Sequence, residues 1–230
     1  SSDSSLQVKL NVALNLNTSP ACLDTLAKNS SSPIVASVVS HRNTSTETLL
    51  FLATKADTTA HTRTLIAKHP NTGIETLSFL VSDSSFYVRS AIALNSNTAI
   101  ETLTLLASDS SFYVRSAVAL NSNTTDELLE LFVNDTNFQV RWAVVDRLKV
   151  PETILIKMAS DESDDVVRSV AEHKSTPLEI IKTLCNHTSS SVRAAAHSNR
   201  EGVLADYIDT LPSEVKNMAL LLAPSFTGFP

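Results

Sequence analysis

NTGIETLSFLVSDSSFYVRSAIALNS, residues Asn71–Ser96, runs directly into NTAIETLTLLASDSSFYVRSAVALNS, residues Asn97–Ser122, and the two 26-residue stretches differ at five positions. A tandem near-duplicate of this period marks a repeat architecture, in which each unit buries its apolar face against the next and one core runs through the stack. Outward from that pair, the Asn-Thr opening recurs at Asn17, Asn43, Asn71, Asn97 and Asn123 and drifts to Lys149, Ser175 and Glu201. The spacing is 26 residues throughout, except for 28 between Asn43 and Asn71. The register predicts a partial repeat over 1–16, seven tandem repeats over 17–200, and a degenerate repeat with a C-terminal cap over 201–230, all in one elongated domain.

Each unit reads as two short helices. Thr98-Ala99-Ile100-Glu101 has the form of a capping box, in which Thr and Glu side chains satisfy two orphan backbone donors, and Thr-x-x-Glu recurs at Thr44, Thr72, Thr124 and Thr176. Behind it, Ile100, Leu103, Leu106 and Ala107 fall at helical spacing. The second helix is expected to start at Asp109, with Asp57, Asp83, Asp135 and Asp161 as equivalent N-caps, and to bury Val114, Ala117, Val118 and Ala119. Three glycines and no strand-like alternation argue against a β-solenoid. The expected fold is therefore an all-α solenoid.

Two polar ladders follow from the register. A cation stands six residues after each Asp, at Lys9, Arg63, Arg89, Arg115, Arg141 and Arg193, with Arg168 one residue out of step. Flanked by Val and Ala, it is expected to lay its stem on the core and to pair with an Asp of its own or the next unit. Six residues further on, Asn15, His41, His69, Asn95, Asn121, His173 and Asn199 are placed to bind backbone where the second helix ends. Rungs a full layer apart do not make a histidine metal centre.

With 18 basic and 24 acidic residues and a net charge of −6, the chain lacks the excess cation that binding to a phosphate backbone requires, so a nucleic-acid partner is not expected. No apolar run approaches the roughly 18 residues of a membrane span, and no signal peptide opens the chain, so no membrane partner and a cytoplasmic location are expected. Cys22 and Cys185 sit at apolar slots and read as small buried hydrophobes. The Asn-x-Ser/Thr sequons, such as those at Asn17 and Asn123, arise because the repeat opens with Asn-Thr.

Written as a consensus, the unit is V-R-x-x-V-A-x-N-x-x-T-x-x-x-x-L-x-x-L-A-x-D, which Val114-Arg115 to Asp135 follows closely. It resembles the leucine-rich repeat variant family over nearly the whole chain, and its Asp-x-x-x-x-Val-Arg portion is shared with HEAT-like repeats. The resemblance implies a right-handed superhelix in which α-helices alternate with shorter 3₁₀-type helices. The iron–sulfur cluster carried by a known member does not come with it, because two isolated cysteines cannot supply four thiolates. No cofactor is expected.

The preferred functional reading is a non-catalytic scaffold for protein partners, because near-identical repeats offer an extended surface in place of a unique pocket. Tyr87, Tyr113 and Trp142 are the candidate contact residues, with Gln139 and Ser191 in the tyrosine register. The same pattern also fits tyrosines that merely cover a core of Phe86 and Phe112. A second reading is self-association: Leu6, Val8, Val12 and Ala13 form an apolar face with no upstream layer, open to head-to-tail stacking, although a cut edge of a longer array explains it better. The least favoured reading is an enzyme using Asp164, Asp165 and Asp206, which depart from the repeat pattern.

Overall fold

The structure is a computed structural model that describes residues 2–29 and 32–210. Every regular element among the described residues is an α-helix. The first helices of successive units are α2 (Pro20–Asn29), α4 (Thr46–Thr54), α6 (Ile74–Leu80), α8 (Ile100–Leu106), α10 (Asp126–Phe132), α12 (Glu152–Met158) and α14 (Leu178–Leu184). The second helices are α1 (Ser2–Leu14), α3 (Ser32–Val39), α5 (Ala60–Lys68), α7 (Phe86–Leu94), α9 (Phe112–Leu120), α11 (Phe138–Val145), α13 (Asp164–Glu172) and α15 (Ser190–Thr210). The architecture is an all-α solenoid of helix pairs.

No 3₁₀-helix stands among the described residues, so the alternation implied by the resemblance is not found there. The first helices are short, yet they open and close on α-type bonds: Leu103 N–H donates to the Ala99 carbonyl (3.1 Å) and Ala107 N–H to the Leu103 carbonyl (2.9 Å). The 28-residue spacing is absorbed in α4, which has nine residues where α6, α8, α10, α12 and α14 have seven.

Helices of seven to nine residues are marginal alone in water, so packing must hold them. In α9, Val114, Ala117 and Val118 stand at the i, i+3, i+4 spacing of one helical face and are buried, as are Val88, Ala91 and Ile92 in α7. Helices α4, α6 and α8 each add a buried Thr-Leu pair and a later leucine: Thr48, Leu49 and Leu52 in α4, Thr76, Leu77 and Leu80 in α6, Thr102, Leu103 and Leu106 in α8. Contacts group the chain into two compact units, residues 1–144 and 145–230. Within the first, α1 packs on α3, α3 on α5, α5 on α7 and α7 on α9. Within the second, α13 and α14 both pack on α15.

Helix α15 continues through Asn199, Arg200 and Glu201, where the register places a turn and the start of the degenerate repeat. Leu211 and the residues of the expected cap after it lie outside the described residues. At the other end, Leu6 and Val8 of α1 are exposed, whereas Val88 and Val114, equivalent to Val8, are fully buried.

The expected caps are corrected at both helices. The N-cap of α8 is Ala99, not Thr98. Thr98 stands one residue earlier, is buried, and donates its hydroxyl to the Ile92 carbonyl in the preceding helix (2.5 Å). Thr72, Thr124 and Thr176 do the same to Ile66, Val118 and Val170, and Thr44 to Val38. A capping box would leave that helix-end carbonyl half-satisfied in the core, and the buried hydroxyl removes the deficit. Likewise the N-caps of α7, α9 and α13 are Ser85, Ser111 and Ser163, two residues after the aspartates expected there.

Candidate functional site

The turns after α7 and α9 are each held by two asparagines. Asn121 donates Nδ2–H to the Ala93 carbonyl (2.6 Å) and the Asn95 carbonyl (2.9 Å) of the previous layer, and its Oδ1 accepts from Asn123 N–H (2.7 Å). Asn95 repeats this one layer back, on Ala67, His69 and Asn97. The repeat-opening asparagine is a second staple: Asn123 Nδ2 reaches the Ser96 and Thr98 carbonyls, and Asn97 Nδ2 those of Pro70 and Thr72. The same use of the amide accounts for the sequons at Asn43 and Asn123, since Asn43 Nδ2 is committed to the Leu16 and Thr18 carbonyls. Asn199 keeps its bonds to Ala171 and His173 although its helix does not end there.

Histidine replaces asparagine at three rungs and keeps the bond to one carbonyl of the previous layer and the bond to the N–H two residues on. His69 Nε2 faces the His41 carbonyl (3.1 Å) and Nδ1 faces Asn71 N–H (3.0 Å); His41 faces Asn15 O and Asn43 N–H, and His173 faces Arg147 O and Ser175 N–H. A carbonyl only accepts and a backbone N–H only donates, so the bonds require the neutral Nε2–H tautomer. Burial holds His69 below the ordinary histidine pKa and outweighs the hydrogen bond to the His41 carbonyl, which acts to raise it. Its contribution is thus complete above the unfolded value of about 6.5 and is lost as pH falls through the lower native value. We expect the His69→Asn variant to show a smaller fall in Tm than the parent between about pH 7 and about pH 5, measured by circular dichroism. An equal fall in both proteins would refute the assignment.

The Arg/Asp ladder runs forward to the next unit. Arg115 Nε and Nη2 grip Asp135 at 2.6 and 2.9 Å, while Nη1 donates to the Asp109 carbonyl of its own unit at 2.8 Å. Arg89 does the same with Asp109 and the Asp83 carbonyl, and Arg63 grips Asp83. Each aspartate also accepts from the N–H two residues on, as Asp109 does from Ser111 (2.8 Å). Burial alone would raise the Asp109 carboxyl; the Arg89 hydrogen bond, the Ser111 N–H and the charges of Arg89 and Arg115 outweigh it and hold the group below the usual carboxylate value. Arg168 does not belong to the ladder. It pairs within its own helix, with Glu172 (3.1 Å) and Asp165 (3.5 Å), and the rung position is the buried Val167.

These ladders lock the second helices of the first unit in register and leave one face of them outward. On that face Tyr87 and Tyr113 are 65% and 53% exposed. Tyr87 lies on Phe86 (centroids 4.1 Å apart), Phe86 stacks on Tyr113 (5.5 Å, 19° between planes), and Tyr113 lies on Phe112 (4.0 Å). Both phenylalanines are half-buried, so the rings form one row rather than a core with a polar lid. Phe138 is exposed at the equivalent place in the next unit, where Gln139 holds the tyrosine position. Trp142 is half-buried in the register of Ser90 and Ser116, beside the row rather than in it.

The other candidates are dispersed. Asp164 and Asp165 are exposed at the start of α13, and the side chain of Asp206 lies outside the described residues. Cys185 is buried and Cys22 half-buried, and both are free thiols. Among the described residues no His, Cys, Asp and Glu side chains are grouped to hold a metal ion, and no helix is long and apolar enough to cross a membrane.

No protein-family model matches the chain, and no curated protein does. Among solved structures it is similar to a leucine-rich repeat variant with a novel repetitive structural motif, at 22% identity over 78% of this chain and 81% of that one (TM-score 0.49). It is also similar to a designed armadillo repeat protein in complex with the peptide (KR)4, at 14% identity over 86% of this chain and 91% of that one (TM-score 0.26). A second designed armadillo repeat protein is similar at 12% identity over 85% and 91% (TM-score 0.23).

Proposed function

We propose that this chain is a non-catalytic scaffold that holds a protein partner on the aromatic row of its second helices. One observation carries the reading: Tyr87, Phe86, Tyr113 and Phe112 form an unbroken series of rings whose tyrosines are more than half open to solvent. Rigid aromatics on a fixed frame lose little freedom on binding and bury a large area, which is why tyrosine is common among the residues that dominate interfaces.

The test is partner capture from the source cells on the immobilised chain, followed by mass spectrometry, in parallel with the Tyr87→Ala/Tyr113→Ala variant. We expect the variant to melt within a few degrees of the parent and to lose at least about tenfold in affinity for the captured partner. Recovery of the same partner by both proteins in equal yield would sink the proposal.

A further inference from the structure

The two layers of the aromatic row, residues 71–122, carry four carboxylates and two guanidiniums, and the first helix of the next layer adds three more carboxylates and no base. Both guanidiniums, Arg89 and Arg115, are committed to Asp109 and Asp135 through two hydrogen bonds each. The charge these layers present to solvent is therefore carboxylate, from Glu75, Glu101, Asp126 and Glu127, all exposed on the first helices. On α7 and α9 themselves no acid or lysine stands beside the rings.

From this we infer that the partner segment is a basic, extended peptide whose arginine or lysine side chains lie along the exposed side of the row at Tyr87 and Tyr113. The inference rests on the aromatic row being the binding site. A field of one sign draws an oppositely charged segment toward the layers and repels an acidic one. On arrival, a guanidinium over a tyrosine face gains from the ring quadrupole while its stem covers the half-buried phenylalanines. Helix layers stack at about 8–10 Å, and an extended chain covers that distance in about three residues, so cations three residues apart match successive tyrosines.

The probe is a fluorescein-labelled dodecapeptide of four Arg-Gln-Ala triplets, compared with its Glu-Gln-Ala counterpart by fluorescence anisotropy on the full chain. We expect the arginine peptide to bind, to weaken as salt is raised, and to lose at least about tenfold in affinity to the Tyr87→Ala/Tyr113→Ala variant. The Glu75→Gln/Glu101→Gln/Glu127→Gln variant keeps the rings and is expected to weaken the arginine peptide severalfold. The glutamate peptide is expected not to bind. Equal binding of both peptides, or binding of the arginine peptide that ignores the tyrosine substitutions, overturns the inference. So does an arginine peptide that fails to bind while a captured partner still depends on the tyrosines, and in that case the aromatic row stands as the site. Loss of the tyrosine dependence of the captured partner removes the site itself.

Discussion

Asn121→Leu is expected to lower the stability of the chain by about 3 kcal/mol or more, read as a fall in the midpoint of urea denaturation with little change in slope. Leucine fills nearly the same space but leaves the Ala93 and Asn95 carbonyls and the Asn123 N–H without the partners that Asn121 supplies. Asn121 is 3% exposed, so water cannot replace the amide without opening the stack. Each backbone group left unsatisfied in such a place costs about 1–3 kcal/mol. Asn121→His is expected to lose clearly less near neutral pH, because a neutral imidazole makes equivalent bonds to a carbonyl and an N–H at His69. Equal losses for leucine and histidine would show that shape, not bonding, holds the rung.

The same rungs show how far a sequence carries. The 26-residue register placed both helices of the seven full repeats and grouped histidine with asparagine at one position, because position in a repeat is itself structural information. It left the direction of the Arg/Asp pairing open between the own and the next unit, since a six-residue spacing says nothing about which layer lies within reach; the structure selects the next. Thr98 and Asp109 were misread for a shared reason. Each matches a cap pattern local in sequence, yet Thr98 is recruited by a carbonyl six residues back, and Asp109 by an arginine twenty residues back.

The second staple, at Asn97 and Asn123, was missed although its signal was present: Asn stands at both i and i+2 in Asn95/Asn97 and Asn121/Asn123. Repetition of a polar residue whose neighbours vary is what a through-space backbone bond looks like in one dimension. The tyrosines were legible as candidates because they stand at an outward-facing slot that varies between units. Stacking of Phe86 on the next unit's Tyr113 was not, as it depends on the offset between layers.

Arg115→Met is expected to cost about 3–5 kcal/mol, the range found when one member of a buried pair is removed and the other charge stays behind. The Arg115 side chain is 16% exposed and that of Asp135 9%, so solvent screens the pair little. The chain contains two natural versions of the loss. At Val167 the arginine is gone and the next aspartate position is held by His187, which keeps the turn by accepting from Ser189 N–H (3.1 Å). At Val35 the arginine is also gone, but Asp57 remains and turns outward, its side chain 80% exposed beside Lys55. Asp135 cannot escape that way as long as its Oδ1 holds Asn137 N–H (2.8 Å). Adding Asp135→Asn to Arg115→Met should therefore recover a substantial part of the loss, by removing the buried charge and keeping the acceptor. Acid provides the second readout. Burial would raise the Asp135 carboxyl, but Arg115, Asn137 N–H and the charges of Arg115 and Arg141 hold it below the usual value. The parent's advantage is thus full above the unfolded carboxylate pKa of about 3.9 and disappears as pH falls through the lower native value. The stability gap between the parent and Arg115→Met should narrow over that same interval; a gap that stays constant into acid would mean that the arginine acts through packing of its stem and not through Asp135.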